Sequence, residues 1–264
     1  AETQRKAFLG GKLKIPLRPR VFVLNDNTGL FSIMYIIIPA RYASSRLPGK
    51  PLLDIAGKTL IERVYDCARA SGAERVIVAT DDGRISAAVE AFGGTVCMTS
   101  RAHASGTDRI AEVIAQLNIE SDTVVVNLQG DEPLMPPDLI RQVAETLLAN
   151  PDAAMATACH PIHDHASLTN PDIAKVVRDA RGHALYFSRA PIPWPRERMA
   201  GREPGSINAY RHIGIYAYRA GFVTRYAAWP PCPLEQTELL EQLRALWHGE
   251  RIAVCEAASL PGAG

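Results

Sequence analysis

The sequence predicts an α/β fold in which helices cover both faces of a mostly parallel sheet, giving three layers. Strand-like apolar runs alternate with helix-like segments from residue 35 to about residue 149, which is typical of such a sheet. The runs, such as Val124-Val125-Val126, are continuously apolar, as expected of strands buried on both faces. A chain of 264 residues, 47% of them hydrophobic, is long enough to bury one large core.

The predicted elements follow one another with short connections over most of the chain. The first part contains strands at 35–39, 75–80, 95–98 and 123–128, and helices near 59–71, 83–92, 107–117 and 137–149. Two hairpin-like strands, 174–178 and 184–188, then predict a smaller antiparallel arm over about 174–219. A proline-rich loop at 191–195 precedes a strand at 211–219, a helix at 234–247 and a strand at 252–255.

Residues 1–33 differ from the rest because they show no sustained hydrophobic period. Met34 immediately precedes the first predicted strand. We therefore expect residues 1–33 to be an N-terminal extension outside the core, and residues 34–264 to form one domain.

Composition and charge restrict the partners of the protein. The 29 basic and 28 acidic residues leave a formal net charge of +1, so no global field favours nucleic acid or an anionic membrane. Apolar runs are of strand length, and we expect no membrane insertion. Five cysteines without a CxxC pair argue against a disulfide framework. These features predict a soluble, cytoplasmic protein.

The loop after the first strand has the composition of an anion site. Arg41, Arg46 and Lys50 lie among small residues such as Gly49, which allow backbone amides to approach a ligand closely. Ligands of open α/β sheets collect at the carboxyl ends of the strands. A triphosphate needs such a group of cations and amides, so we interpret this loop as a phosphate site.

The loop after the fourth predicted strand places a carboxylate at the same edge. It reads Asn127-Leu128-Gln129-Gly130-Asp131-Glu132-Pro133. Mg²⁺ binds one or two carboxylates together with phosphate oxygens and water. Together the two loops predict a metal-bridged nucleotide.

Two common nucleotide-binding motifs are missing from the sequence. Gly57-Lys58-Thr59 resembles the end of a P-loop, but Leu52 occupies the position of the required first glycine. No GxGxxG turn is present either. The sequence therefore disfavours a P-loop kinase and a dinucleotide-binding enzyme.

Seven segments in order give a specific resemblance over residues 35–264: IPARYASSRLPGKPL, ATDD, SGTDR, NLQGDEP, ALYFSR, RHIGIYAYR and PLEQTELLEQLR. They resemble the 3-deoxy-manno-octulosonate cytidylyltransferases, or CMP-Kdo synthetases. The resemblance implies a Rossmann-like nucleotidyltransferase sheet, a homodimer formed through the antiparallel arm, and transfer of CMP from CTP to the anomeric hydroxyl of Kdo. CMP-Kdo and pyrophosphate would be the products, in lipopolysaccharide synthesis.

The resemblance also implies roles for individual residues. Those at the triphosphate are Arg41, Arg46 and Lys50, with Pro39, Ala40 and Ser44 shaping the pocket. Those near the nucleoside are Thr80, Ser105, Gly106 and Thr107. Asp131 would bind Mg²⁺, and Gln129 would lie between the two substrates. The sugar acid would contact Arg189, His212, Tyr216, Glu235 and Gln236; a guanidinium is a suitable partner for its carboxylate.

Members of this family usually continue into a segment with a second magnesium-binding aspartate, whereas this sequence ends at Gly264. We therefore expect a C-terminally truncated domain with weaker metal binding. Two alternatives remain open from the sequence. One is a related transferase that activates sialic acid or a sugar phosphate, and the other is a nucleotide-binding protein with impaired catalysis.

Overall fold

A computed structural model of the chain describes residues 34–43, 47–196 and 208–262. The strands of these residues are β1 (Met34–Ala40), β2 (Asp54–Ile55), β3 (Lys58–Thr59), β4 (Arg75–Thr80), β5 (Thr95–Met98), β6 (Val124–Asn127), β7 (Met155–Ile162), β8 (Lys175–Arg178), β9 (Ala184–Ser188), β10 (Ala209–Arg219) and β11 (Ile252–Glu256). The predicted extension at 1–33 lies outside the described residues.

Eight α-helices are assigned within the described residues: α1 (Leu60–Ala70), α2 (Gly83–Ala91), α3 (Gly106–Gln116), α4 (Pro137–Ala149), α5 (His165–Thr169), α6 (Ala220–Ala227), α7 (Pro233–Glu238) and α8 (Leu243–Trp247). A short 3₁₀ helix covers Lys50–Leu52. No helix in these ranges combines the length and the apolar character needed to cross a bilayer.

The main sheet has nine strands, and its central path runs β11-β7-β10-β6-β1-β4-β5. The path from β6 to β5 is parallel throughout, and β11 is parallel to β7. Strand β10 is antiparallel to both of its neighbours in this path, β6 and β7. The predicted mostly parallel, three-layer α/β fold is thus confirmed, with β10 as the reversed strand.

The core lies on both faces of this sheet. Ile36 and Ile38 point to one face, where they join α1, α2 and α4, whereas Ile37 points to the other and joins α3 and α6. All three isoleucines are fully buried. Because successive strand residues face opposite sides, a continuously apolar strand is what a three-layer arrangement requires.

Two features differ from the predicted elements. Strand β7 was not predicted, although it lies inside the sheet between β11 and β10; its alanines and Pro161 have low strand propensity. The predicted helix at 234–247 is wrong as a single helix, because α7 ends at Glu238 and the next residue, Leu239, has a left-handed φ of 54°. The predicted arm strands β8 and β9 do pair with each other, and β8 also pairs with the start of β10.

Candidate active site

The two predicted ligand loops leave neighbouring strands at the same edge. Strand β1 pairs in parallel with β6, so the loops that begin at Arg41 and Leu128 start side by side. Gly130 is needed for this contact, because a Cβ at its position would lie 2.9 Å from the carbonyl oxygen of Pro39. The second loop therefore crosses directly over the end of β1.

Lys50 and Asp131 meet across these loops. Lys50 Nζ donates a hydrogen bond to Asp131 Oδ2 at 2.8 Å, and the two side chains are 40% and 53% exposed. The loop closes where the amide of Gly49, at a left-handed φ of 75°, donates to the carbonyl of Tyr42. Exposed ion pairs contribute little stability, so both partners are free to exchange this contact for a ligand.

The predicted phosphate site also contains Arg41, Ser44 and Arg46. Arg41 is half-buried at the end of β1, next to the buried Ala40. Ser44 and Arg46 lie outside the described residues. Their contacts with phosphate stay predictions.

The predicted nucleoside residues lie around the start of α3. Ser105 caps this helix and forms a reciprocal capping box with Asp108. A Cβ at Gly106 would lie 3.2 Å from Cγ of Pro39, so the helix start approaches the end of β1 closely. Thr80, at the end of β4, is fully buried, and its carbonyl accepts from the amide and hydroxyl of Thr99.

A buried ion pair joins the two sequence motifs at this place. Arg109 is fully buried, and its Nη2 lies 3.0 Å from Asp81 Oδ2. Its Nη1 donates to the hydroxyl of Thr99. The arginine of SGTDR thus fixes the loop that contains ATDD beside the N-terminus of α3.

A cavity of about 360 Å³ extends from the loop after β6 and the start of α3 toward β10 and the segment after α7. It brings together five predicted site residues: Gly106, Thr107, Gln129, His212 and Tyr216. The cavity is also lined by residues without a predicted role, among them Asn127, Glu132, Gly214, Tyr218, Glu241 and Gln242.

Hydrogen bonds organise the polar wall of this cavity. The Thr107 hydroxyl donates to Glu241 Oε2 at 3.1 Å, and the Tyr216 hydroxyl donates to Gln242 Oε1 at 3.1 Å. Within the described residues, the buried Nε2 of Gln242 has no hydrogen-bond partner. An unpaired buried donor is costly, so a ligand oxygen at this amide would relieve that cost.

The structure does not bring Glu235 and Gln236 into the cavity lining. The carboxylate of Glu235 is buried and forms two hydrogen bonds with Arg244, at 2.7 and 2.5 Å, and it also accepts from the amide of Cys232. Gln236 is exposed on α7. The sequence PLEQTELLEQLR contains the dipeptide Glu-Gln twice, and the second copy, Glu241-Gln242, is the one that lines the cavity.

Glu235 should therefore contribute to stability more than to binding. We expect Glu235→Ala to lower the free energy of unfolding by about 3–5 kcal/mol, because it leaves the buried guanidinium of Arg244 without its partner. Chemical denaturation measures this loss. Replacing both members, Glu235→Leu with Arg244→Met, should restore much of the stability; equal stability of Glu235→Ala and the wild type would contradict this role.

The guanidinium of Arg189 donates its hydrogen bonds to backbone carbonyl groups. Its Nε donates to the carbonyl of Glu238 at 2.7 Å, and its Nη1 donates to that of Pro171 at 3.0 Å. The amide of Arg189 donates to the Glu238 carboxylate, and the buried ammonium of Lys175 donates to the Arg189 carbonyl. Arg189 lies near the end of α7 but is not part of the cavity lining.

Burial changes the titration of groups in the cavity. Desolvation lowers the pKa of His212 to about 3, which keeps its ring neutral near pH 7. Desolvation raises the pKa of Glu132, and the neighbouring charge of Asp131 raises it further. The same cause, burial, raises the pKa of Glu241.

The pKa of His212 predicts a pH dependence of stability. The unfolded histidine, with its ordinary pKa of 6.5, takes up a proton before the folded one does. Stability should therefore fall as the pH decreases below about 6.5, by up to about 2 kcal/mol between pH 7 and pH 5. Urea unfolding of the wild type and of His212→Asn at both values measures this; the exposed His165→Asn variant is the control. An identical pH dependence in all three would contradict the prediction.

Sequence reasoning missed several cavity residues for identifiable reasons. Asn127 and Glu132 belong to the same motif, NLQGDEP, as the predicted Gln129 and Asp131, so the motif itself could have indicated them. Glu241 and Gln242 were not predicted because the preceding Glu-Gln pair was assigned the role, and because the sequence pattern did not show the break in the helix at Leu239.

The family of the chain is shown by comparison with known proteins. The family model described as "Cytidylyltransferase" matches residues 35–252. The 3-deoxy-manno-octulosonate cytidylyltransferase of Hahella chejuensis is 58% identical over 88% of this chain and 92% of its own length. The enzyme of the same name from Idiomarina loihiensis is 59% identical over 87% of this chain and 92% of its own length.

A solved structure agrees with these sequence relatives. The structure of CMP:2-keto-3-deoxy-manno-octonic acid synthetase complexed with CTP matches with a TM-score of 0.80 at 45% identity. The match covers 88% of this chain and 92% of that one. The chain therefore belongs to the 3-deoxy-manno-octulosonate cytidylyltransferase family.

Proposed function

We propose that this protein transfers CMP from CTP to the anomeric hydroxyl of Kdo, which yields CMP-Kdo and pyrophosphate. The observation that carries the proposal is the contact between Lys50 and Asp131, 2.8 Å apart; the loop of Asp131 also lines the polar cavity at β10 through Gln129 and Glu132. A cation suited to phosphate, a carboxylate suited to a metal ion and a polar cavity suited to hydroxyl groups thus lie on connected segments. The names of the relatives favour this sugar over sialic acid or a sugar phosphate.

The triphosphate of CTP would bind at the loop after β1. Lys50 and Arg41 would neutralise its charge, together with Arg46, and Ser44 would donate a hydrogen bond. Pro39 and Ala40 would form the floor beside the nucleotide. Because Lys50 pairs with Asp131 only at the surface, the ammonium can turn to a phosphate oxygen at little cost.

The cytidine would lie against the start of α3. Ser105, Gly106 and Thr107 present the first turn of that helix, and the Arg109–Asp81 pair holds it in place. Thr80 ends the adjacent strand β4. The absence of a side chain at Gly106 allows this first turn to pack closely against Pro39 at the end of β1.

The residues present fit a magnesium ion held by one carboxylate and by substrate oxygens. Asp131 is exposed, and its neighbour in the sequence, Glu132, lines the cavity as a second carboxylate. No group of three or more acidic, histidine or cysteine side chains positioned for a metal occurs in the described ranges. An ion at Asp131 would take its other ligands from phosphate and water oxygens. Bound Mg²⁺ would supply positive charge to the α-phosphate and lower the pKa of the attacking hydroxyl.

The sugar acid would occupy the cavity at β10. His212, Tyr216, Glu241 and Gln242 would offer acceptors and donors for its hydroxyl groups, and Gln129, which also lines the cavity, would lie between the sugar and the triphosphate. Arg189 would bind the carboxylate of the sugar through the part of its guanidinium that is not used by backbone carbonyls. In this proposal Glu241 and Gln242 replace Glu235 and Gln236 as sugar ligands.

The chemical step needs no covalent intermediate with the protein. The anomeric hydroxyl releases its proton to water as its oxygen attacks the α-phosphorus of CTP, the bond from the α-phosphorus to the oxygen shared with the β-phosphate breaks, and pyrophosphate leaves in line. The protein positions the two substrates, while Lys50, Arg41 and Arg46 stabilise the charge of the leaving group. Gln129 helps to orient the sugar toward the phosphate.

We extend the proposal to a cytoplasmic homodimer. All five cysteines are free, which agrees with a reducing compartment such as the cytoplasm.

The proposed dimer would form through the antiparallel arm. Leu185 on β9 is 62% exposed, so the arm offers apolar surface to a second copy. Sedimentation with and without Leu185→Glu tests the dimer.

A pyrophosphate-release assay tests the activity. We expect release that depends on CTP, Kdo and Mg²⁺ together, with little release when sialic acid replaces Kdo or when UTP replaces CTP. Release with sialic acid but not with Kdo would favour the related transferase. CTP binding without any release would favour a nucleotide-binding protein.

A further inference from the structure

His212 has one polar contact that limits the position of its proton. Its Nε2 lies 2.9 Å from the hydroxyl oxygen of Thr157 on β7. The ring packs edge-on against Phe187, with centroids 5.0 Å apart. Within the described residues, its other nitrogen, Nδ1, has no hydrogen-bond partner, and His212 lines the cavity.

The Thr157 hydroxyl cannot donate to His212. Its oxygen lies 2.7 Å from the carbonyl oxygen of Ile215 and 3.2 Å from that of Ile213. Carbonyl oxygens only accept, and a hydroxyl has a single proton. That proton must point to the carbonyls, so the contact with His212 requires a proton on Nε2.

An irregularity in the sheet makes this arrangement stable. The register of β10 against β7 shifts between Ile213 and Tyr216, so Gly214 and Ile215 form a bulge. Thr157 is fully buried opposite this bulge, where its hydroxyl provides a donor for carbonyls displaced from the ladder. Bulges of this kind often re-aim side chains next to active sites.

We propose that Thr157 is a positioning residue that holds His212 as the Nε2–H tautomer, so that Nδ1 accepts a hydrogen bond from a hydroxyl group of the sugar substrate. The second half of this inference rests on the proposed function, whereas the tautomer itself does not. The low pKa of His212, caused by burial, agrees with a ring that stays neutral.

The proposal assigns a particular selectivity to His212. A neutral Nδ1 with a lone pair attracts a hydroxyl proton and repels the oxygens of a carboxylate. His212 would therefore recognise the polyhydroxy part of the sugar, and the carboxylate would have to bind elsewhere. The Nδ1–H tautomer would have the opposite preference.

The tautomer is measured directly by nitrogen NMR of the ¹⁵N-labelled protein without ligands. The chain has seven histidines, and the His212 signals are assigned by their loss in His212→Asn. We expect a protonated, pyrrole-type Nε2 and an unprotonated Nδ1 in the wild type and in Thr157→Ser. Thr157→Val, which removes the hydroxyl, should give a mixture of tautomers. A proton on Nδ1 in the wild type overturns the inference even if Thr157→Val does not fold.

Kinetics test the consequence for the sugar. Thr157→Val should raise KM for Kdo by about tenfold, the effect of one lost hydrogen bond, and should leave KM for CTP unchanged. Thr157→Ser should restore the wild-type value. His212→Asn, which keeps a polar group near the Nδ1 position, should retain more Kdo affinity than His212→Gln, which keeps one near Nε2; the reverse order contradicts the proposed acceptor.

The two proposals fail in different ways. If the wild type releases no pyrophosphate from CTP and Kdo but shows Nε2–H in the spectrum, the proposed function is wrong and the role of Thr157 stands. If the enzyme is active and the wild-type ring carries its proton on Nδ1, the inference alone is wrong.

Discussion

Replacing Asp131 by asparagine is expected to lower kcat by about a hundredfold to a thousandfold while leaving the thermal unfolding temperature almost unchanged. The amide keeps the shape of the side chain but loses the negative charge that Mg²⁺ requires. Stability should hardly change, because the carboxylate is 53% exposed and pairs with Lys50 at the surface. Pyrophosphate release and a thermal melt measure the two effects.

A nearby carboxylate provides a matched control for this variant. Asp138 is 77% exposed at the start of α4 and forms an ion pair with Arg141 at 3.2 Å. Asp138→Asn removes the same charge from a similar surface pair outside the cavity lining. We expect its kcat to equal that of the wild type. Full activity of Asp131→Asn, or equal losses in both variants, would remove the metal-binding role of Asp131.

Replacing Gln242 should have the second large effect, on the sugar and not on the nucleotide. We expect Gln242→Ala to raise KM for Kdo by about tenfold to a hundredfold, with little change in KM for CTP. The reason is the buried Nε2 of Gln242, which has no partner within the described residues, and the hydrogen bond that Gln242 accepts from Tyr216. Steady-state kinetics with each substrate varied in turn measure the effect.

Two further variants separate binding from folding. Gln242→Glu keeps the shape and the acceptor for Tyr216 but removes the free N–H donor, so it should also weaken Kdo binding. Gln236→Ala, in the first Glu-Gln pair, should leave both KM values unchanged because Gln236 is exposed on α7. An increase of KM for Kdo in Gln236→Ala with no change in Gln242→Ala would favour the original sequence-based prediction.

Local patterns were sufficient for most of the fold. The alternation of apolar strands and amphipathic helices predicted β1, β4, β5 and β6 with their helices, since burial on both faces leaves a continuous apolar run in the strand itself. Strand β7 was missed because its alanines and Pro161 are poor strand formers. Neighbouring strands, and not its own propensity, stabilise it inside the sheet.

The candidate site was predictable where it depends on the ends of neighbouring strands. Lys50 and Asp131 are 81 positions apart, yet both follow strands whose carboxyl ends meet at one edge. The cavity at β10 depends on contacts between distant segments. The carboxylate of Glu235 pairs with Arg244 and does not line the cavity. The left-handed conformation of Leu239 turns the chain so that Glu241 and Gln242 line it.

The sequence by itself determined the layered sheet and the position of the basic loop after β1 beside the acidic loop after β6, because hydrophobic periodicity and strand ends are local properties of the chain. Only the tertiary structure decided which Glu-Gln pair lines the cavity and which groups surround His212. Both depend on packing across β7, β10 and the segment after α7, where a partner far away in the sequence determines what each polar group can do.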